Sequence, residues 1–447
     1  MNDVGSDVFE AARRHFIDGV RAFEAEHYEA AQQQFAASLA LVPGRTSTLL
    51  NLAQTRLKLG LPQQALEGLS TVLAAEPTLG EAWFHRGHAL ADLGRDDEAL
   101  AAYAKVQPDD PSHVAASYHQ GLTLNRLRRP AEALACFDRL LQIDPQRAEA
   151  WWRRGQTLQE LDRHDEALTS YRQALVHDPQ LADAWSGCGA ILKDRQQLDE
   201  AGHCFRQALA FGGDAALNAY LLASVTGGAA PVQAPPLYVR GLFDGYAGSF
   251  DAHLVQALHY RAPQLIAQQV GAQVAAQVAA QGAGRRLGAA LDLGCGTGLC
   301  GPLLAPLVEQ LDGVDLSPPM LAKAGERGVY RSLVQADIAR HLQQTAERYA
   351  LLVAADVFIY IGALDAVFEG ARRVLQPGGL FCFSVERADD AQDFVLRPSA
   401  RYAQSRRYLE ALAERHGFDV LLIEEQPIRE DQRQPVAGLI VTLQERA

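Results

Sequence analysis

Leu291-Asp-Leu-Gly-Cys-Gly-Thr-Gly298 decides how the second half of this 447-residue chain is read. Leu291 and Leu293 suit a buried strand, and the glycines at 294, 296 and 298 permit a tight turn where a ligand lies against the main chain. The spacing predicts a strand entering the turn and a helix leaving it, from about Leu299 to Glu309, with its first N–H groups aimed at that ligand. Gly296, Gly298 and Gly301 formally match the dinucleotide pattern G-x-G-x-x-G. They do so two residues too late, because the first glycine of that pattern should close the strand, and in that frame Leu299 stands where a third glycine belongs. A dinucleotide is therefore disfavoured, and an unoccupied structural turn is the plain alternative.

Downstream, the pattern is that of an open α/β sheet. A second strand, Leu311 to Asp315, ends in a carboxylate 21 residues beyond Gly294, where an acid can accept hydrogen bonds from a ribose diol. A third strand, about Tyr330 to Gln335, ends in Ala336-Asp337-Ile338, and a fourth runs from Leu351 to Val357. Val374-Leu-Gln-Pro-Gly-Gly-Leu380 turns into a fifth, Leu380 to Val385, and Phe418–Glu425 with Val436–Leu443 read as a closing antiparallel pair.

The run Asp292-x-Gly294-x-Gly296-x-Gly298 resembles the first motif of class I S-adenosylmethionine-dependent methyltransferases. The resemblance implies a Rossmann-like domain with a seven-stranded, mostly parallel sheet and S-adenosyl-L-methionine as cofactor. It implies cofactor-binding roles for Asp292, Gly294, Cys295, Gly296, Gly298, Asp315, Leu316, Met320, Ala336, Asp337, Ile338 and Asp356. Within that set Asp292 would face the methionine ammonium, Met320 the adenine and Asp337 the adenine amino group. Asp292 and Asp337 have an alternative reading as caps of the next helix, and Met320 as ordinary helix core. Phe358-Ile-Tyr-Ile-Gly362 would lie beside the methyl acceptor, while Ala350 departs from the aspartate that often opens the fourth strand. Should a base be needed, Asp356, Tyr360 and Tyr246 are the catalytic candidates. Arg401, Tyr402 and Ser405 match a further patterned segment, either substrate-facing or a helix cap.

The first half has a different signature. Prolines stand at 43, 77, 111, 145 and 179, 34 residues apart, which is the period of the tetratricopeptide repeat. Gly19, Gly87, Gly121, Gly155 and Gly189 keep the same register, as do Ala31, Ala65, Ala99, Ala133, Ala167 and Ala201 and, four residues later, Phe35, Leu69, Tyr103, Phe137, Tyr171 and Phe205. This predicts an α-solenoid of six helical hairpins over about 12–213, in which small residues let helices touch and the aromatic fills the gap. Asp214 to Val225 reads as a capping helix. Similar arrays bind peptides or protein surfaces, and Phe84, Tyr118 and Trp152 recur in one register beside His85, His119 and Arg153. They serve either as a peptide groove or as packing between units.

The expected domains are thus 1–225 for the array, 226–236 for a Gly/Pro linker, and 237–447 for the methyltransferase, with 237–288 a helical lid and 289–447 the core. Within the lid, Phe243-Asp-Gly-Tyr-Ala247 followed by Phe250-Asp251 resembles a segment of bacterial methyltransferases that carry tetratricopeptide repeats, and Gln264–Gln281 reads as a helix.

Six cysteines without a C-x-x-C pair point to reduced thiols and no metal site. The net charge of −13 opposes nucleic-acid binding. No apolar run of membrane length and no signal-like N-terminus is present, which points to a cytoplasmic protein without membrane insertion. Three functions remain open: methylation of a protein or peptide recruited by the array, methylation of a small molecule with the repeats used for assembly, and a non-catalytic scaffold that keeps cofactor binding. Acceptor, partner and oligomeric state are not legible.

Overall fold

A computed structural model describes residues 3–244, 251, 259–281, 286–431 and 434–446. By internal packing the chain divides into residues 1–191 and 192–447.

The first unit is a run of antiparallel hairpins: α1 (Asp3–Glu24) with α2 (Tyr28–Leu41), α3 (Thr46–Lys58) with α4 (Pro62–Ala75), α5 (Gly80–Asp92) with α6 (Asp96–Tyr103), α7 (His113–Arg126) with α8 (Pro130–Ile143), and α9 (Ala148–Glu160) with α10 (His164–His177). The glycine register is explained by close approach. A Cβ at Gly87, Gly121 or Gly155 would lie 2.4, 2.7 or 2.5 Å from the ring of Tyr103, Phe137 or Tyr171, each 16 residues on. A second device recurs at the same period: the indoles of Trp83 and Trp151 each donate, at 2.8 Å, to the carbonyl of the proline six residues earlier. Helix α6 ends at Tyr103, short of its counterparts, and Pro108 bars its extension to their length.

Helix α11 (Ala182–Asp194) contains the division, and α12 (Leu198–Ala210) and α13 (Ala215–Thr226) pack together in the second unit. Asp214 caps α13 by accepting from Leu217 N at 2.9 Å. The Tyr220 hydroxyl of α13 donates to the carbonyl of Ala400 at 2.6 Å. The glycine- and proline-rich stretch that follows is not loose. Val232 O accepts from Gly362 N and Ala363 N at 2.9 and 3.0 Å, Ala234 N donates to Tyr360 O at 2.8 Å, and Gln233 bridges Ile361.

After α14 (Pro236–Asp244) and α15 (Ala262–Gln281) comes the sheet: β1 (Leu287–Leu293), β2 (Val308–Asp315), β3 (Ser332–Gln335), β4 (Tyr349–Ala354), β5 (Leu375–Arg387), β6 (Phe394–Leu396), β7 (Tyr402–Gln404), β8 (Phe418–Asp431) and β9 (Gln434–Glu445). Parallel pairing sets β3-β2-β1-β4-β5 side by side, and β9 runs antiparallel between β5 and β8. These seven are the expected sheet. The structure adds two strands, since a short β6–β7 pair attaches to β5 at Glu386–Arg387, beyond the stretch that β4 uses.

Alternation along the strands explains why both faces are covered. Leu291, Leu293, Leu352, Ala354, Phe381, Phe383 and Val385 point to one cluster, with Phe368 and Leu409. Ala290, Leu351, Val353, Leu380 and Cys382 point to the other, with Ile266 and Val270. The helix expected over 299–309 is a single turn, α16 (Gly301–Leu304), and Val308 already opens β2. Pro306 is the reason: it lacks the N–H that the next turn would need, although Ala305 itself still holds helical dihedrals. The remaining helices are α17 (Pro318–Glu326), α18 (Ile338–Gln344), α19 (Asp365–Val374) and α20 (Arg406–Arg415). No helix among the described residues is long and apolar enough to cross a membrane.

Candidate functional site

The chain leaves β1 toward β2 and β3 on one side and reaches β4 and β5 on the other, so the crevice at the carboxyl end of β1 is the switch point of the sheet. Gly294, Gly296 and Gly298 all adopt positive φ, at 65°, 54° and 79°. At Gly294 a Cβ would also meet the Val357 methyls at 2.7 Å, so side chains are excluded twice. Cys295 N donates to Val314 O at 3.0 Å, which staples the turn to β2.

Asp315, the last residue of β2, accepts from Gly296 N and from Ser317 N, both at 2.9 Å. One carboxylate thereby joins the glycine turn to the loop after β2. Burial pushes it above the usual carboxylate range against those N–H groups. Asp292 lies 1 % exposed under the turn and accepts from the Tyr330 hydroxyl at 2.8 Å. Burial pushes its carboxyl up to about 7, with Tyr330 opposing and Asp315 adding. Ser317, fully buried, caps α17 by accepting from Met320 N, and Met320 is fully buried as well. Leu316 O accepts from Gln335 Nε2 at 3.3 Å, and Ala336 N donates to Asp315 O at 3.1 Å. Asp337 caps α18, whose first residue is Ile338, by accepting from Arg340 N at 3.0 Å.

Across the switch point, Asp356 holds a positive φ of 58° just after β4, and its N–H donates to Ser384 Oγ at 2.8 Å. Both carboxylate oxygens accept from Arg429, a residue 3 % exposed that also donates to Glu386, itself 3 % exposed. Arg397 reaches the other Glu386 oxygen at 2.8 Å. As a base candidate Asp356 is thus already engaged. Tyr360 accepts from Arg401 and stacks edge-on against Phe243 at 5.7 Å, and burial raises its hydroxyl while Arg401 opposes. Tyr246 lies outside the described residues. Tyr402 donates to Pro231 O, and Ser405 caps α20 by accepting from Tyr408 N, so both have structural duties.

Sequence reasoning missed Arg429, Glu386 and Tyr330. Nothing in local spacing marks Arg429, which stands 73 residues from Asp356 and 43 from Glu386. The six cysteines are free and buried, and among the described residues no group of three His, Cys, Asp or Glu is placed to hold a metal ion.

In the first unit, Phe84 and Tyr118 are half-buried against core clusters. Phe84 lies 5.5 Å from His119 and 6.4 Å from Tyr103, Arg147 sits 4.9 Å over Tyr118, and Arg153 sits 4.0 Å over Trp152.

A family model described as a methyltransferase domain matches residues 290–379, and a tetratricopeptide-repeat model matches 50–114, 109–148, 118–182 and 153–216. No curated protein matches the chain. Among solved structures, MamA from Desulfovibrio magneticus RS-1 is 23% identical over 37% of this chain and 94% of its own, with a TM-score of 0.35. YrrB, a TPR protein with an unusual peptide-binding site, is 20% identical over 41% and 95%, with a TM-score of 0.35. Magnesium protoporphyrin IX methyltransferase from Synechocystis PCC 6803 with bound SAH is 16% identical over 47% and 100%, with a TM-score of 0.36.

The cofactor of such a domain is S-adenosylmethionine, which brings a sulfonium, an ammonium and a ribose diol. The crevice fits that chemistry, because the buried carboxylates of Asp292 and Asp315 call for cationic or hydrogen-donating partners. The chain thus joins tetratricopeptide repeats to a methyltransferase domain.

Proposed function

We propose that the chain transfers a methyl group from S-adenosylmethionine to a protein or peptide that the repeat array recruits. The observation that carries this reading is Asp315, which closes the glycine turn onto β2 at the switch point of the sheet. In this reading Asp315 accepts from the ribose diol and Asp292 neutralises the ammonium. Leu316, Met320, Ala336, Asp337 and Ile338 surround the adenine, and Cys295 holds the turn through its backbone. The bound sulfonium supplies an already activated methyl group. The protein's share is to hold donor and acceptor in line and exclude water. Asp356, pinned by Arg429 and Ser384, sets the loop that presents Tyr360 on the acceptor side, with Arg401 polarising that hydroxyl.

The test is methylation of proteins from a cell extract by the full chain and methyl-labelled S-adenosylmethionine, beside the Phe84→Ala/Tyr118→Ala/Trp152→Ala variant. Recruitment predicts labelled protein with the wild type, lost in the variant while its thermal transition stays within a few degrees. The half-burial of Phe84 and Tyr118 favours a second reading, in which those rings pack the array and a small molecule is the acceptor. A collapsed transition in the variant, with label found only on small molecules, establishes that second reading.

A further inference from the structure

Two buried hydroxyls flank Asp315, and neither finds its hydrogen-bond acceptor within the sheet. Thr297, in the glycine turn, is 2 % exposed, and Ser317, in the loop after β2, is fully buried. A buried hydroxyl that donates to nothing costs free energy, so each must find an acceptor. Both acceptors come from the segment before the sheet. Ser317 Oγ donates to Asp244 Oδ1 at 2.7 Å, and Thr297 Oγ1 donates to Asp251. Each carboxylate is itself backed by an arginine. Arg240 donates to the other Asp244 oxygen at 3.0 Å, and Arg327 donates to the other Asp251 oxygen and, at 3.0 Å, to Thr297 O.

The two loops that these aspartates grip are the ones whose N–H groups bind Asp315, at Gly296 beside Thr297 and at Ser317 itself. We propose that Asp244 and Asp251 are positioning residues for the cofactor, fixing through Ser317 and Thr297 the two loops that aim Asp315 at the ribose. The assignment rests on the cofactor reading above. Asp244 works through the loop after β2 and Asp251 through the glycine turn, so the two can be removed separately, and because both act on Asp315 their joint effect is at most the product of the two. Both depend on Asp315, so both vanish where Asp315 cannot make its charged contact.

The experiment is calorimetric titration of S-adenosylhomocysteine into the full chain and its variants. Asp244→Ala and Asp251→Ala are each expected to loosen binding about tenfold, and the double variant more than either single one, up to about a hundredfold, from the loss of one charge-assisted hydrogen bond per loop. Asp251→Glu, which keeps the charge, recovers most of the loss. In an Asp315→Asn background each alanine substitution costs less than about threefold, an outcome that general weakening of the fold would not produce. Glu410→Ala, which breaks an exposed ion pair with Arg406 on α20, serves as the control and leaves binding unchanged. If Asp251→Ala does not fold, Thr297→Val and Ser317→Ala remove the same two contacts from the other side. Wild-type affinity within twofold in all these variants overturns the proposal alone. Failure of the wild type to bind S-adenosylhomocysteine overturns the cofactor reading with it.

Discussion

The burial of Asp292 makes cofactor binding a function of pH. Its carboxyl is pushed up to about 7, chiefly by burial. From an ordinary aspartate near ~3.9, that gap corresponds to about 4 kcal/mol at about 1.36 kcal/mol per pH unit. The sign follows from which form the fold prefers. In the free chain the protonated acid is favoured, so its contribution to stability is fully present below ~3.9, is lost as pH rises toward about 7, and is absent above. An ammonium placed beside Asp292 favours the carboxylate instead, so binding lowers its pKa and expels its proton in the window between the bound-state value and about 7. Affinity for S-adenosylhomocysteine should therefore rise with pH, at most about tenfold per unit, and level off above neutrality, so that pH 5 costs up to about 2.7 kcal/mol. Titration calorimetry from pH 5 to 8, in two buffers of different ionisation enthalpy, reads both the slope and the released proton. Asp292→Asn keeps an acceptor for the Tyr330 hydroxyl but cannot titrate, and should flatten the profile. A wild-type profile already flat, or an equal slope in Asp292→Asn, refutes the reasoning.

Three stability predictions follow from single contacts. Gly294→Ala forces a side chain into positive φ and against Val357, and should destabilise the second unit by about 2 to 4 kcal/mol in denaturant unfolding. Arg429→Met leaves Asp356 and Glu386 without their shared partner and should cost about 3 to 5 kcal/mol, read as a lower thermal midpoint. Tyr103→Phe goes the other way: the ring is 3 % exposed and its hydroxyl has no hydrogen-bond partner among the described residues, so removing the oxygen should leave the repeat array equally stable or stabilise it by up to about 1 kcal/mol.

What was legible in the sequence was whatever repeats or lies close along the chain. The 34-residue register located the repeat helices because each unit solves one packing problem in the same way, down to the ring of Tyr103 against Gly87. Asp315 could be read at its distance from Gly294 because a strand–turn–helix–strand unit has a nearly fixed length. The helix leaving the glycine turn is the single turn of α16 and not the run to Glu309 that the strand–turn–helix pattern predicts, and Pro306 carried the contrary signal. The β6–β7 pair was illegible for another reason. Three-residue strands show no period, and their pairing is settled by the free end of β5. Nor could Arg429 be foreseen, since only the antiparallel return of β8 and β9 brings it to the crevice beside Asp356. Asp251 stood in a quoted motif, yet its grip on Thr297 becomes visible only with the turn and Arg327 in place.

The most direct measurement is binding of S-adenosylhomocysteine to the full chain, set beside a nicotinamide dinucleotide and repeated with Asp315→Ala. The account predicts one saturable site for S-adenosylhomocysteine, weakened by about 1.5 to 3 kcal/mol in Asp315→Ala, and no binding of the dinucleotide. Tight binding of the dinucleotide with none of S-adenosylhomocysteine would contradict it.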